Sequence, residues 1–343
     1  MQVPSAPQTG KNAKVSLSFT DGTSTSALAM TKQASFSYNG EAYTNRVYLL
    51  GSGKMINSRP AANALAFING ILDGLEVSST VAQEIAVTAG SILVNNATVA
   101  AAADTSIVVT RPAAGEACWV AVHVNTSTGV TSITKGTDTT GSAGKGGLLT
   151  TYGASAGQKP LIAVDELLVC YLGINATTGV FTSDEIEYTD REWASFSYRL
   201  IPSLGGVILS TALVALHTGA IPRVVYFSGK YWETTALAEV GDAQQWSITP
   251  NSSTVSAVTF AGGPSESQID NWSFTFNQLF TDAKALDAMY NRQGYGAVKL
   301  QLASGQYFLF VGSMAGGITV EPGSYIVQQL SGSIQDRPYY SGQ

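Results

Sequence analysis

Trp272-Ser-Phe-Thr-Phe-Asn277 and the three runs after it, Val298-Lys-Leu-Gln-Leu302, Tyr307-Phe-Leu-Phe-Val311 and Tyr325-Ile-Val-Gln-Gln-Leu330, decide the fold class. In the first run apolar and polar residues alternate strictly, the mark of a strand with one buried face. Between the first and second runs, Ala285, Leu286, Met289 and Tyr290 form a single apolar stripe at helical spacing. Thr281 and Asp282 suit its N-terminal cap, Arg292 its last turn and Gly294 its stop, so the spacing predicts one short α-helix over 281–293. The order from Asn271 to Ile334 is strand, helix, hairpin, long turn, strand.

Composition extends this to the whole chain. Its 343 residues allow two domains or three small ones, each with a core. Charged residues make up only 12%, against roughly 25% in a typical soluble chain. With 35 glycines and many Thr, Ser and Val, the chain reads as all-β, rich in turns, with much of its surface covered by copies of itself. A net charge of −6 without any Lys/Arg cluster argues against a dedicated nucleic-acid binder. Cys118 and Cys170 both lie in apolar runs and read as buried free thiols rather than a disulfide. MQVPSAPQTGKNAK has no apolar segment of the kind a secretory signal needs, so the expectation is a chain made without one. The most apolar window, Leu200 to Leu216, is broken by Pro202 and Gly205-Gly206 and falls short of the ~20 residues of a membrane helix, so no membrane insertion is expected.

Along the chain, residues 1–14 read as a polar extended arm and Val15-Ser-Leu-Ser-Phe19 as a strand ending at Asp21-Gly22. Ala34-Ser-Phe-Ser-Tyr38 and Arg46-Val-Tyr-Leu-Leu50 read as a hairpin around Asn39-Gly40. The first of these recurs as Ala194-Ser-Phe-Ser-Tyr198, which fits both a trace of duplication and coincidence. Ala61 to Gly74, with Asn63-Ala-Leu-Ala-Phe-Ile-Asn-Gly70 at its centre, reads as one or two helical turns. Short strands follow at Glu84–Thr88, Ser91–Val94, Ser106–Thr110, Trp119–Val124, Pro160–Val164 and Leu167–Leu172, and Lys135 to Gln158 reads as an exposed, mobile loop. Further strands are expected at Arg223–Phe227, Tyr231–Leu237, Trp246–Thr249 and Val255–Phe260.

Residues that could carry chemistry are sparse. His123 and His217 are the only histidines, and no His-x-x-x-His or Cys-x-x-Cys spacing occurs. Asp165-Glu166 could suggest sugar hydrolysis, but neighbours on a strand point to opposite faces, and Asp184 to Glu187 reads as a solvated turn. Gly141-Ser-Ala-Gly-Lys-Gly-Gly147 lacks the strand and helix that frame a phosphate loop, and no calcium-loop spacing occurs. No catalytic, cofactor-binding or metal residue is assigned, and a non-enzymatic protein without cofactor is expected. Trp232, Trp246, Trp272, Phe274, Phe276, Tyr307, Phe308 and Phe310 read as core; a carbohydrate platform would need some of them exposed.

Two stretches carry a resemblance to known families. Asp73-Gly-Leu-Glu-Val77, Ile85-Ala-Val-Thr-Ala-Gly-Ser-Ile-Leu-Val-Asn95, Trp119-Val-Ala-Val-His-Val124, Pro160-Leu-Ile-Ala-Val164, Leu167-Leu-Val169 and Asp190-Arg191 resemble the small β-sandwich module of bacteriophage tail, baseplate and fibre proteins. The late strand, single helix, hairpin with Ser304-Gly305 and final Glu321-Pro-Gly…Gln328-Gln-Leu-Ser-Gly332 run resemble the tail tube protein family of long-tailed phages. The likeness covers about 75 residues well and 150 loosely, and the inserted module departs from the simplest members. It implies a tail-tube-like β-barrel or sandwich with one short helix, plus a second small β-sandwich. The domains read as 1–57 (arm and strands, open as part of the tube fold), 58–190 (accessory β-sandwich) and 191–343 (tube-like domain). The implied function is a self-assembling virion protein, hexameric rings stacking into a tube through which DNA passes without specific binding. Its implied partners are itself and other tail proteins (sheath, terminator, baseplate or tape measure), in a virion made in the host bacterial cytoplasm. The alternative is a baseplate, adaptor or receptor-binding tail protein that recognises a host surface glycan or a neighbouring tail protein.

Overall fold

The structure, a computed structural model, describes residues 8–38, 41–141, 147–219, 223–254, 267–280, 294–320 and 326–342. It is all-β, and its central feature is a closed six-stranded antiparallel barrel. The barrel strands are β1 (Gln8–Ser18), β2 (Ala238–Thr254), β3 (Ser267–Phe280), β4 (Gly294–Leu302), β5 (Tyr307–Val320) and β6 (Ile326–Ile334). Around the barrel they run β1, β2, β3, β6, β5, β4, and β4 returns to β1 through Ala13↔Leu302 to Ser18↔Ala297. The helix expected over 281–293 lies outside the described residues.

Period-2 alternation fills the barrel. Val15 and Leu17, Trp246 and Ile248, Trp272, Phe274 and Phe276, Val298 and Leu300, Phe308 and Phe310 all point into one core. Within it the Phe274 ring lies 4.9 Å from Phe310 and 5.0 Å from Phe276, centroid to centroid, in tilted packing that aromatic quadrupoles favour. Residues 8–14, read from sequence as a free arm, are the first half of β1, paired from Gln8↔Ile248 onward. Their alternation is weak because the less exposed positions are held by Gln8 and Gly10 and not by apolar side chains. Tyr307-Phe-Leu-Phe-Val311 is apolar without a break because both sides are covered: Phe308 and Phe310 face the barrel core, while Leu309 and Val311 pack outside it with Met55, Trp232, Leu237 and Ala297.

The chain divides into two compact units: 1–66, 198–210 and 227–343 in the first, 67–197 and 211–226 in the second. Beside the barrel, the first unit has a sheet ordered Tyr198–Ile201, Gly206–Leu209, Glu41–Leu49, Thr31–Tyr38. The hairpin read from sequence there is present, with Tyr38↔Glu41 as its last described pair. Its core is Phe36, Tyr38, Tyr43, Val47, Ile201 and Ile208. The second unit is built on the antiparallel pair Glu116–Asn125 and Glu166–Asn175. Cys118, Val120, Val122 and Val124 face one apolar cluster, while Trp119, Ala121, Leu168 and Tyr171 face another with Ile162 and Leu216. Burial on both faces explains the unbroken apolar runs. Two small sheets complete the unit: 97–101, 90–94 and 70–74, and 104–108, 84–87 and 77–78. The helical turns expected in 61–74 reduce to a 3-10 turn at Pro60–Ala62 followed by strands Leu65–Ile68 and Gly70–Gly74, since Phe67, Ile68 and Ile71 are buried in extended backbone.

The barrel strands bring backbone against backbone at three glycines, Gly296 against the Ser18 carbonyl at the β4–β1 seam and a pair between β5 and β6. A Cβ on Gly332 would stand 1.9 Å from the Ser313 carbonyl oxygen, and one on Gly312 would stand 2.1 Å from that of Ser333. Gly332→Ala should therefore destabilise the barrel by on the order of 2–4 kcal/mol in urea unfolding. Gly305→Ala, in the open β4–β5 turn at φ +84°, should cost only about 1 kcal/mol for its left-handed backbone. Equal losses would contradict the close approach.

Candidate functional site

Two features of the fold are built beyond what a core requires: hairpins that overrun the barrel, and a set of buried charges in the second unit.

The ladder registers place the hairpins. Among the described residues the β1–β2 ladder starts at Gln8↔Ile248, and β6 reaches β3 no further than Trp272. Past those points 251–254 and 267–271 pair only with each other among the described residues, with a bulge after Asn251. Pro250, which has no N–H to give a ladder, stands two residues past the β1 partner of Gln8, the first described residue. At the other end β3 stops pairing with β6 at Gln329, and among the described residues the β4–β5 ladder extends to Gly294↔Met314. Residues 318–320 and 326–328 then form a second two-stranded ribbon. In β3 the first ribbon lies at the N-terminal end and the Gln329 side at the C-terminal end, so the two ribbons leave opposite ends of the barrel. Each presents edge N–H and C=O groups without a ladder partner among the described residues, the usual basis for strand pairing between chains.

In the second unit the charges sit inside. Lys159, 3% exposed, donates from Nζ to Asp190 Oδ2 at 2.5 Å and to Glu187 Oε1 at 2.6 Å, and the rings of Trp119, Tyr171 and Tyr152 surround it. Burial works to lower its pKa; the hydrogen bonds and charges of Asp190 and Glu187 outweigh burial and hold it above the usual lysine value. Arg191 pairs with Glu76 at 3.1 Å, donates to the Gly74 carbonyl and stacks on Trp193. Arg111 pairs with Glu185 at 2.9 Å over the Phe181 ring. Thus Glu185 and Glu187, read from sequence as part of a solvated turn, each hold a buried cation. The loop 135–158, read as exposed and mobile, is in its described part a cover: Leu149 accepts from the Trp119 indole at 2.9 Å and Thr151 from the Lys159 amide at 2.9 Å. A buried indole N–H needs an acceptor, and the cover supplies it.

Both histidines lie in this unit. His123 Nδ1 is 3.1 Å from Glu166 Oε1 and Nε2 is 2.9 Å from Thr134 Oγ1; burial pushes its pKa down against the pull of Glu166. Nε2 of His217 donates to the Glu166 carbonyl at 2.9 Å and stands 3.7 Å from Glu192 Oε2. Glu192 Oε1 lies 3.0 Å from Arg223 Nε, and burial raises its pKa against the charges of Arg223 and His217. Asp165 and Glu166 separate as the strand geometry required, one bonding Asn125 and the other turned to His123. Cys118 and Cys170 are buried free thiols, and burial pushes the Cys118 thiol up to about 12. Among the described residues no group of three His, Cys, Asp or Glu side chains is placed to hold a metal ion, and no helix is long and apolar enough to cross a membrane. Most of the aromatic residues assigned to the core are buried; Tyr307 is half-buried and, with Tyr339, lines a cavity of about 340 Å³ that also meets Gln33, Lys54 and Ser203.

No protein-family model, curated protein or solved structure matches the chain.

One carboxyl gives a pH signature. Asp336 accepts a short hydrogen bond from Tyr38, while its buried Oδ2 has no hydrogen-bond partner among the described residues; burial pushes its pKa up to about 6 from 3.8, against that hydrogen bond, one from the Arg337 backbone and the charges of Arg199 and Arg337. Because the folded state holds this proton more tightly than the unfolded chain, its contribution favours the fold at low pH and is lost as pH rises from about 4 to about 6. Asp336→Asn removes that loss. Its stability relative to wild type in urea unfolding should be higher at pH 7 than at pH 3.5 by on the order of 1–3 kcal/mol; a difference independent of pH would contradict the assignment.

Proposed function

We propose that the chain is a structural, self-assembling subunit of a bacteriophage tail tube. The barrel is the ring-forming body, and stacked rings, hexameric on the family likeness, make the conduit for DNA. The observation that carries the proposal is the pair of two-stranded ribbons leaving the closed barrel at opposite ends. A monomer with such edges risks uncontrolled strand pairing, whereas in a ring or a stack the same edges are joints.

Two further features support it. At 12% charged residues, the surface has little of the charge that keeps isolated chains apart, and a net charge of −6 suits a lumen that must not grip phosphates. The second unit leaves large apolar side chains exposed, among them Val108 and Val164 at 62% each, a surface that packing against a neighbouring tail component would cover. In this account the second unit is an accessory module whose contacts are with such components. The glycan-binding alternative has one feature in its favour, the Tyr307–Tyr339 cavity, since paired aromatic rings beside polar groups suit a sugar face.

The joints can be tested directly. Replacing 251–271 by a short Asn-Gly turn removes one ribbon and leaves the barrel ladders intact. In analytical ultracentrifugation the wild type should sediment as rings or larger species at high concentration. The shortened variant, shown folded by circular dichroism, should remain monomeric. Unchanged assembly of the variant, or a wild type that stays monomeric throughout, would contradict the proposal. Binding of a surface glycan lost on Tyr307→Ala and Tyr339→Ala would favour the alternative.

A further inference from the structure

The cluster around Lys159 contains every part that amide condensation needs. Its amine is the nucleophile and touches Asp190 Oδ2 at 2.5 Å. The other oxygen of the same carboxyl, Oδ1, accepts from the Tyr152 hydroxyl at 2.9 Å, so a donor already sits where negative charge would develop on attack. A second carboxylate, Glu187, lies 2.6 Å from the same nitrogen and can carry protons. The rings of Trp119 and Tyr171, each 5.0 Å from Nζ, and of Tyr152 at 5.8 Å wall the nitrogen off from water. Between the two acids, Asp190 is the better buried and alone carries the tyrosine donor, which makes it the acyl partner and Glu187 the shuttle. We propose that Lys159 and Asp190 close an intramolecular amide bond, an autocatalytic cross-link within the second unit that joins the residue following the cover loop to Asp190.

The step balances without any further reactant. The ammonium passes one proton to Asp190 Oδ2, giving a neutral amine and a neutral acid; burial works toward this pair and the two carboxylates work against it. Nζ then attacks Asp190 Cγ, and the carbonyl electron pair moves to Oδ1, held by the Tyr152 hydroxyl. Glu187 takes a proton from the nitrogen and delivers it to Oδ2. As the Cγ–Oδ2 bond breaks, water leaves and the amide remains. One N–C bond forms, one C–O bond breaks, one water is released, and nothing is oxidised or reduced. The two carboxylates also stabilise the ammonium form, so the first proton transfer is the step that the burial of the site must drive. Proximity favours the rest, since nucleophile and acyl group are held in contact. The bond would tie residues 159 and 190, which close over Trp119, and would keep the cover shut under mechanical load.

The proposal is independent of the tail-tube reading and is decided on the wild-type chain. After incubation in the folded state and then denaturation, its intact mass should be one water lighter than the sequence requires, and proteolysis should give one branched peptide containing 159 and 190. Lys159→Arg and Asp190→Ala should run at full mass. Glu187→Gln, folded by circular dichroism, should form the bond at least tenfold more slowly, as should Tyr152→Phe. Wild-type protein that remains at full mass after prolonged incubation would overturn the proposal. So would a water loss that maps elsewhere, for example to a succinimide at Asp21-Gly22 or Asp73-Gly74.

Discussion

Closure of the barrel is the constraint on which the first unit depends. Six strands can meet around a core of this width only if neighbouring backbones approach closely where the sheet turns, and Gly312 and Gly332 stand where the opposing carbonyls leave no room for a side chain. Once closed, the barrel has no edge along its body. Among the described residues, unpaired strand edges remain where β2 and β3, or β5 and β6, extend past their neighbours. Closure therefore directs any association through strands to the two ends, which is the geometry a stack requires.

The inside of the barrel also explains why the chain can be so poor in charge. Its interior is a continuous set of large apolar and aromatic side chains, with Trp272, Phe274, Phe276, Phe308 and Phe310 all essentially without solvent contact. Burial of such side chains contributes about 1.5–3 kcal/mol each, enough that the fold needs no ion-pair network in the barrel. In the second unit the two-faced strand pair is flanked by ion clusters at Lys159, Arg191, Arg111 and Glu192. A buried ion pair is weak evidence for stability, because desolvation offsets much of the attraction. Its retention is better understood as fixing a unique arrangement, here of the cover loop and of the 211–226 segment that brings His217 and Arg223 to Glu192.

Much of the fold was legible in local pattern. The strict alternation of Trp272 to Asn277 and the runs at 298–302 and 307–311 gave strands with the correct inward residues, because period 2 is set by the pleat itself. What local pattern could not carry was long-range pairing. β1 joins partners more than 200 residues away, and nothing in Gln8 to Lys14 distinguishes a barrel strand from a polar arm. The interleaving of the units was hidden for the same reason, since the chain crosses at 66, 197, 210 and 226 without a change in composition. Identical residues did not guarantee identical structure: Ala34–Tyr38 lies within a strand, whereas in Ala194–Tyr198 only Tyr198 does, and tertiary contacts decide between them. The charged clusters escaped because Lys159 and Asp190 are 31 positions apart. The one signal present was a lysine beside Pro160 at the mouth of an apolar run, and it acquires meaning only when the loop folds over Trp119.

Negative-stain electron microscopy of the purified chain, concentrated stepwise, tests the central claim most directly. The account predicts rings with a central hole, stacking into striated tubes as concentration rises. Compact three-fold particles, or monomers at every concentration, would contradict it.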